Sequence, residues 1–421
     1  MASSFNIFVN TASNILASTN QEPGELLLGF RESIGEAPGS GLALDFDGVD
    51  DYVDIPHTTA TNFSTDWTME TWFRPDTLTG AHQALISKNI GPRPPSLWQL
   101  DQKVQVWFDP LGQVVSSNKD LVVGKWVHVA ATFADSTLSL YINGILDTTR
   151  MISVTPSTST SNYTLGQRGD NSNFLNGQLD EVRLWDVALS QDEIRDHLAN
   201  KTLDAHPQLG NLQGYYRFDQ TSGSTLFDVI GNSNGSLTNM DATTDWVLSG
   251  ASIGDASVAN YTADPTTAIA HADGDSLEVK NFATAPDGVH VYVVNEPPND
   301  TTLPTGALFM DTTRYYGVFV VTDSATAPAF DATYFYGPNG NINGAAEEAN
   351  SRMFYRQANN DTAWTIAPGT ADVAGDSISV PVAPGFEFIA GRSSALPLVL
   401  DSIDADSVNC AGDADGEARV A

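Results

Sequence analysis

The sequence predicts an all-β protein, an antiparallel β-sandwich jelly roll followed by a second β-sandwich. Short runs rich in Val, Ile, Thr and aromatic residues recur along most of the 421 residues, separated by Gly, Pro, Asn and Asp. Of the 52 acidic residues 13 are Glu and therefore 39 are Asp, a turn former and a poor helix former. Helical spacing with a start signal stands out in a single stretch, "SQDEIRDHLANKTL".

Residues 1–40 are mixed in character and end in "GEAPGSG", which reads as an extension or linker with one or two strands such as "FNIFV" and "ELLLGF". From Ala43 the strand rhythm takes over, through "YVDI", "WTMETWF", "QALISK", "SLWQL", "KVQVWF", "KWVHVAATF", "LSLYING" and "QLDEVRLW". Within "ALDFDGVDDYVDIP", Ala43 to Pro56, five aspartates interrupt what is expected to be a hairpin. The helix candidate opens on a capping box, Ser190 followed three residues later by Glu193, with Ile194 and Leu198 sharing one face. Strand and turn signals then run to about residue 250 and start afresh over residues 251–400, enough for a second all-β domain. The tail, residues 401–421, loses the pattern and becomes Asp-rich.

The net charge of −33 argues against nucleic acid or an anionic membrane as a partner and favours divalent cations. No run of about 18 apolar residues offers a membrane helix. The start, "MASSFNIFVN", lacks the basic and apolar regions of a secretory leader, so the chain is expected to be intracellular or a piece trimmed from a longer precursor. A single cysteine, Cys410, leaves no disulfide framework and no thiolate zinc site.

Alternation along a strand places Asp51 on one face with Val53 and Ile55. In "QLDEVRLW" it places Asp180 with Val182 and Leu184, and Glu181 on the opposite face. A bare carboxylate on an apolar face costs several kcal/mol. Few basic residues are available to pair with these acids, which leaves calcium, a cation that takes six to eight oxygens, as the expected counterion. The turn "DVIGNSNG", with Asp228, Asn232 and Asn234, is a second place of the same kind. Most tryptophans are expected in the core by alternation. Trp98, in the Pro-rich segment "GPRPPSLWQL", is the one expected to meet a ligand.

The ordered phrases "LDFDGVDDYVDIP", "WTMETWFRP", "KWVHVAATF", "LSLYINGIL", "FLNGQLDEVRLWDVALSQDEI" and "LQGYYRFDQTSGSTLFDVIGNSNGSLTNM" resemble the LamG-like jelly-roll family. That family is related to pentraxins and laminin G modules in the concanavalin A-like lectin/glucanase group. The resemblance covers residues 41–250 and implies a two-sheet jelly roll, often calcium-bound, that recognises carbohydrate or protein. "LGQRGD" is similar to the pentraxin calcium loop, with Asp170 on an acidic ligand position and Arg168 where an acid would be expected. A cation site nearer the chain crossing, drawing on Asp47 or Asp51 together with Asp180, is therefore expected instead. Residues 251–400 are similar to sandwiches that follow such modules in large secreted proteins of Bacteroidetes. The tail "DSVNCAGDADGEARVA" resembles the start of the repeat in SprB-type gliding adhesins, which implies a cell-surface protein exported by type IX secretion.

Glycosidases of this group carry Glu-x-Asp-x-x-Glu on one strand; that spacing is absent here. The seven histidines form no H-x-x-x-H pair, and no G-x-S-x-G elbow occurs. His128 alternates with Trp126 and Ala130 as a structural histidine would. The sequence thus points to a non-enzymatic, calcium-stabilised surface adhesin that binds a glycan or a partner protein, with self-association left open. The rival expectation is a structural protomer of a surface filament that binds no sugar.

Overall fold

The computed structural model describes residues 41–393, apart from 89–92, 202, 325, 346–347 and 362. The expected extension at residues 1–40 and the repeat start at 401–421 lie outside the described residues, as do residues 91 and 92 of the Pro-rich segment.

The first sandwich is built from β1 (Leu42–Asp47), β2 (Tyr52–Ile55), β3 (Trp67–Pro75), β4 (Gln83–Ser87), β5 (Ser96–Leu100), β6 (Lys103–Phe108), β7 (Gly112–Ser116) and β8 (Val127–Ala134). It continues with β9 (Thr137–Ile142), β10 (Ile145–Met151), β11 (Tyr163–Leu165), β12 (Asn176–Trp185), helix α1 (Gln191–His197), β13 (Leu212–Tyr216), β14 (Thr225–Leu226), β15 (Gly235–Thr238) and β16 (Trp246–Leu248). One sheet runs β10-β9-β8-β3-β12-β1-β16, with β13 also on β12, and the other runs β14-β15-β2-β11-β4-β5-β6-β7. All recorded strand pairs are antiparallel. Phe46, Val53, Trp67, Phe73, Leu97, Val106, Val129, Leu165, Leu179 and Val182 are among the residues that fill the space between the two sheets.

The aspartate-rich stretch is not a hairpin. β1 pairs with β12 and β16, whereas β2 pairs with β11 and β15 in the facing sheet. The five-residue separation therefore bridges two layers about 10 Å apart, and the acids mark a corner of the sandwich.

Alternation also breaks in β12. Asp180 stands opposite Trp72 and Arg183 opposite Glu70, so Glu181 and Val182 together face one residue of β3. Glu181 takes φ 53°, the conformation of a bulge residue. The extra residue turns Glu181 to the outside with Asp180 and Arg183, while Leu179, Val182 and Leu184 stay in the core. The expectation that Asp180 and Glu181 lie on opposite faces fails for this reason.

On that outer face Arg183 is held by charge and by helix ends. Its Nη2 donates to Glu181 Oε2 at 2.5 Å and to the Asn200 carbonyl at 2.5 Å, and its Nη1 donates to the His197 carbonyl at 3.2 Å. It thereby caps the C-terminal end of α1, and Trp72 Nε1 does the same at the Leu198 carbonyl, 2.8 Å away. Glu70 accepts from Trp185 Nε1 at 3.0 Å and lies 3.4 Å from His128 Nε2. Burial alone would raise its carboxyl, but His128 and Arg183 hold it down at about 2. At its other end α1 carries the expected capping box, with Ser190 Oγ accepting from Glu193 N and Glu193 Oε2 accepting from Ser190 N.

The second sandwich comprises β17 (Ala256–Asn260), β18 (Thr267–Ala270), β19 (Ser276–Lys280), β20 (Gly288–Val294), β21 (Ala307–Met310), β22 (Tyr315–Val321), β23 (Asp331–Phe335), β24 (Ser351–Arg356), β25 (Thr365–Ile366), β26 (Thr370–Asp372), β27 (Ser377–Val380) and β28 (Glu387–Ser393). Its sheets run β17-β20-β22-β28-β24-β25, with β21 on β28, and β18-β19-β23-β27-β26. The sandwiches share a buried apolar seam of Trp72, Leu198, Ala199, Ala251 and Ile253, with Trp126 and Phe319 packed on it.

Replacing Arg183 by Met should destabilise the protein by about 3–5 kcal/mol, because Glu70 and Glu181 would keep buried charge with no guanidinium. Urea unfolding at pH 7 measures this, and a loss below about 1 kcal/mol would contradict the capping role.

Candidate cation corner and aromatic face

The corner between β1 and β2 gathers Asp47, Asp50 and Asp51, with one ligand oxygen from each lying within 4.8 Å of the others. The turn ties itself together: Asp47 Oδ1 accepts from Val49 N at 2.7 Å, and Asp51 Oδ2 accepts from Asp47 N at 3.0 Å. Two asparagines clamp it from outside, Asn176 Nδ2 donating to the Asp47 carbonyl at 2.7 Å and Asn239 Nδ2 to the Asp50 carbonyl at 3.0 Å. Asp47 and Asp50 are exposed, whereas Asp51 is 5% exposed. Burial, with Asp47, Asp245 and Asp50 nearby, pushes the Asp51 carboxyl up to about 6. Among the described residues no ion pair reaches any of the three. Their remaining oxygens suit a hard, oxygen-seeking cation such as calcium, and the absence of His or Cys from the trio disfavours softer metals.

The other acids with an expected cation role sit elsewhere. Asp180 stands opposite Trp72, four residues along β12 from Asn176, the partner of Asp47, or about 13 Å at roughly 3.3 Å per residue. It is 1% exposed, accepts from Ser249 Oγ at 2.6 Å, and is pushed well above the usual carboxylate range by burial, Glu181 and Asp219. Asp170 lies in the turn after β11, where its Oδ1 accepts from Ser172 Oγ at 2.5 Å and its Oδ2 is 3.7 Å from Arg168 Nη1. Asp228 is saturated by main chain, accepting from Tyr215 N, Ile230 N, Asn232 N and Ser233 N. It orders its turn and has little left for a cation.

A hydrogen-bonded chain links the corner to Asp170 and to an aromatic cluster. Asn176 N donates to Gln83 Oε1 at 2.7 Å, Asn173 Nδ2 donates to the His82 carbonyl at 3.0 Å, and Ser172 Oγ approaches Asn173 Oδ1 at 3.1 Å. His82 meets Trp107 edge-on, with centroids 5.2 Å apart, and Trp98 at 6.3 Å; the two indoles are 6.2 Å apart. Arg93 lies over Trp107, 5.9 Å from its centroid, and pairs with Asp109 at 3.4 Å. Leu97, Val104, Val106 and Phe108 point into the core, so Ser96, Trp98, Gln105 and Trp107 form the opposite, outer face of β5 and β6. Ser96 Oγ and Gln105 Oε1 accept from the two indole nitrogens and fix the rings.

Trp98 was expected at a loop rim; it lies within β5 and is 4% exposed. Trp107 is the half-buried member and offers the accessible ring. The alternation of "KVQVWF" already separates Gln105 and Trp107 from Val104, Val106 and Phe108, which is the signal that could have found it. Asp50 and His82 carry no such signal, because only the corner and the turn at 173–176 bring them to these positions.

At Asp51 a proton would compete with any cation the corner takes up. Because its carboxyl is raised above 3.8 in the folded state, its contribution to stability in the cation-free protein is greatest at low pH and is lost as pH rises through about 6. Added calcium should therefore raise the unfolding midpoint more at pH 7.5 than at pH 5, and Asp51→Asn should abolish that difference. Calorimetry in calcium and in chelator measures both.

A comparison with curated proteins finds no match. Among solved structures, a candidate carbohydrate-binding protein from Bacteroides ovatus aligns with TM-score 0.40 and 17% identity over 48% of this chain and 59% of that one, so the chain spans less than two thirds of its length. The heptameric SAP-like pentraxin of Limulus polyphemus aligns with TM-score 0.32 and 15% identity over 37% of this chain and 81% of that one. The CBM40 module of a Ruminococcus gnavus IT-sialidase, bound to α2,3-sialyllactose, aligns with TM-score 0.31 and 15% identity over 36% of this chain and 92% of that one. Residues 47–195, which include the corner and the aromatic face, match the Laminin_G_3 model of the concanavalin A-like lectin/glucanases superfamily.

Proposed function

We propose that the first sandwich is a non-catalytic glycan-binding module and that the chain is part of an extracellular, cell-surface adhesin. The observation that carries this reading is the outer face of β5 and β6. There the half-buried Trp107 ring is fixed by Gln105 and flanked by His82 and Arg93. A rigid, partly exposed indole beside hydrogen-bonding side chains is what stacking on a sugar ring needs. The match of residues 47–195 to the lectin/glucanase superfamily supports the same class.

Calcium in this reading is structural. Asp47, Asp50 and Asp51 would hold it, and its charge would offset three carboxylates that have no basic partner among the described residues. Asn176, which clamps the Asp47 carbonyl, also donates to Gln83 next to His82, so an ordered corner favours an ordered aromatic face. The acids nearest the aromatic face have other partners, Asp109 pairing with Arg93 and Asp170 accepting from Ser172. Asp180 and Glu181 are buried on the outer side of the other sheet, and Glu181 is committed to Arg183. None of the described helices is long and apolar enough to cross a membrane. Export by type IX secretion and a role in gliding adhesion are part of this proposal through the tail that resembles a SprB-type repeat.

A glycan array probed with the purified protein in calcium, followed by calorimetry on any hit, tests the reading. Trp107→Ala should weaken binding at least tenfold without changing the unfolding midpoint by more than a few degrees. Trp98→Phe should have a smaller effect on binding. A wild-type protein that binds no glycan, or a Trp107→Ala protein that binds unchanged, would overturn the proposal.

A further inference from the structure

The junction between the sandwiches contains a histidine that neither the cation corner nor the aromatic face uses. His290 lies on β20, where Val289, Val291 and Val293 point into the second core and His290 points the other way, toward the first sandwich; it is 0% exposed. Its Nε2 lies 2.7 Å from the Tyr261 hydroxyl, which also lies 2.9 Å from the Asn143 carbonyl of the first sandwich. A carbonyl can only accept, so the tyrosine proton goes to Asn143 and the hydroxyl oxygen accepts Nε2–H from His290. The imidazole is thereby the neutral Nε2–H tautomer. Its Nδ1 lone pair is buried and has no hydrogen-bond partner among the described residues.

Tyr261 is built into the seam. A Cβ on Gly144 of the first sandwich would come within 2.6 Å of its hydroxyl, and a Cβ on Gly288 of the second would come within 2.4 Å of its ring. Arg195 of α1 lies over the Tyr261 ring, 4.2 Å from its centroid, and donates through Nε to the Gly144 carbonyl at 2.9 Å. The charged and titratable groups acting on His290 are His128 from β8 and Arg195 from α1, with Asp196 acting on Tyr261. Phe319 of β22 lies between His290 and Trp72, with centroids 5.9 Å and 5.2 Å away. Farther along the seam Lys201 faces Asp255 and Glu296, and Lys119 pairs with Asp323.

We propose that the contact between the two sandwiches is an acid-released latch, closed while His290 is neutral and opened when its buried Nδ1 takes a proton. A proton on Nδ1 would have no acceptor among the described residues and would add a positive charge disfavoured by Arg195 and His128, in a seam closed to water. Separating the sandwiches gives the imidazolium water and distance from Arg195. Burial, with His128 and Arg195, accordingly depresses the docked imidazole to about 3. Because the docked group titrates below the free one, docking is at full strength above about pH 7. It weakens as pH falls through the ordinary histidine range, by about 100-fold at pH 4.5 for this one residue.

Small-angle scattering of the full chain between pH 7.5 and 4.5, with far-UV circular dichroism on the same samples, tests the latch. The expected result is a rise in radius of gyration with β-content retained. His290→Gln should suppress that rise, because the amide donates to Tyr261 but takes no proton. Histidine Cε1 hydrogen exchange in the wild type, read by peptide mass spectrometry, should place the His290 midpoint well below 6.5. An unchanged radius at pH 4.5, a His290→Gln protein that opens at the same pH as the wild type, or a His290 midpoint at or above 6.5 would overturn the proposal.

Discussion

The arrangement of this protein depends on the ion pair of Arg183 with Glu181, made possible by one extra residue in β12. Without the bulge, Glu181 would point into the apolar core, and its charge would cost several kcal/mol. With it, the acid meets a guanidinium on the outer face, where Glu70, Tyr215 and the end of α1 complete the bonding. Burying an ion pair is expensive, and the gain here lies in position. The guanidinium holds the segment that follows β12 against the sheet, and that segment carries Leu198 and Ala199 into the seam with the second sandwich.

The two faces of the first sandwich consequently do different work. The outer face of the β3-β12 sheet is covered by α1, by the linker near Ser249 and by the second sandwich, and its charges are almost all paired. Asp180 is the exception in degree, with one oxygen bonded to Ser249 and the other without a partner. The outer face of the β5-β6 sheet keeps a half-buried indole and the groups that orient it. The corner formed by Asp47, Asp50 and Asp51 joins the two sheets and has no ion-pair partner among the described residues.

A second acidic group shows what pairing changes. In the second sandwich His271, Asp273 and Asp275 also converge. There Arg314 donates to Asp273 from both terminal nitrogens at 2.7 Å and to Asp275 at 3.2 Å, while Asp275 also takes hydrogen bonds from Tyr316 and Tyr334. That group supplies its own cation. Among the described residues the β1–β2 corner has no such partner, which is why, of the two acidic groups, the corner enters the functional reading.

Much of the architecture was legible from local pattern. The period-two runs marked most strands and the Ser190–Glu193 spacing marked the helix start, because each depends on residues a few positions apart. Pairing and burial are long-range, and there the local pattern was insufficient. Alternation assigned Asp180 to the apolar side with Val182 and Leu184, because one left-handed residue at Glu181 resets the period. The hairpin expectation failed because two adjacent strands can join different sheets. Asp47 and Asp51 were legible as a pair, but their separation from Asp180, the placement of His82 beside Trp107 and the burial of Trp98 were decided by tertiary packing. Side chains distant in sequence meet only once the strand register and the crossing between sheets have been set.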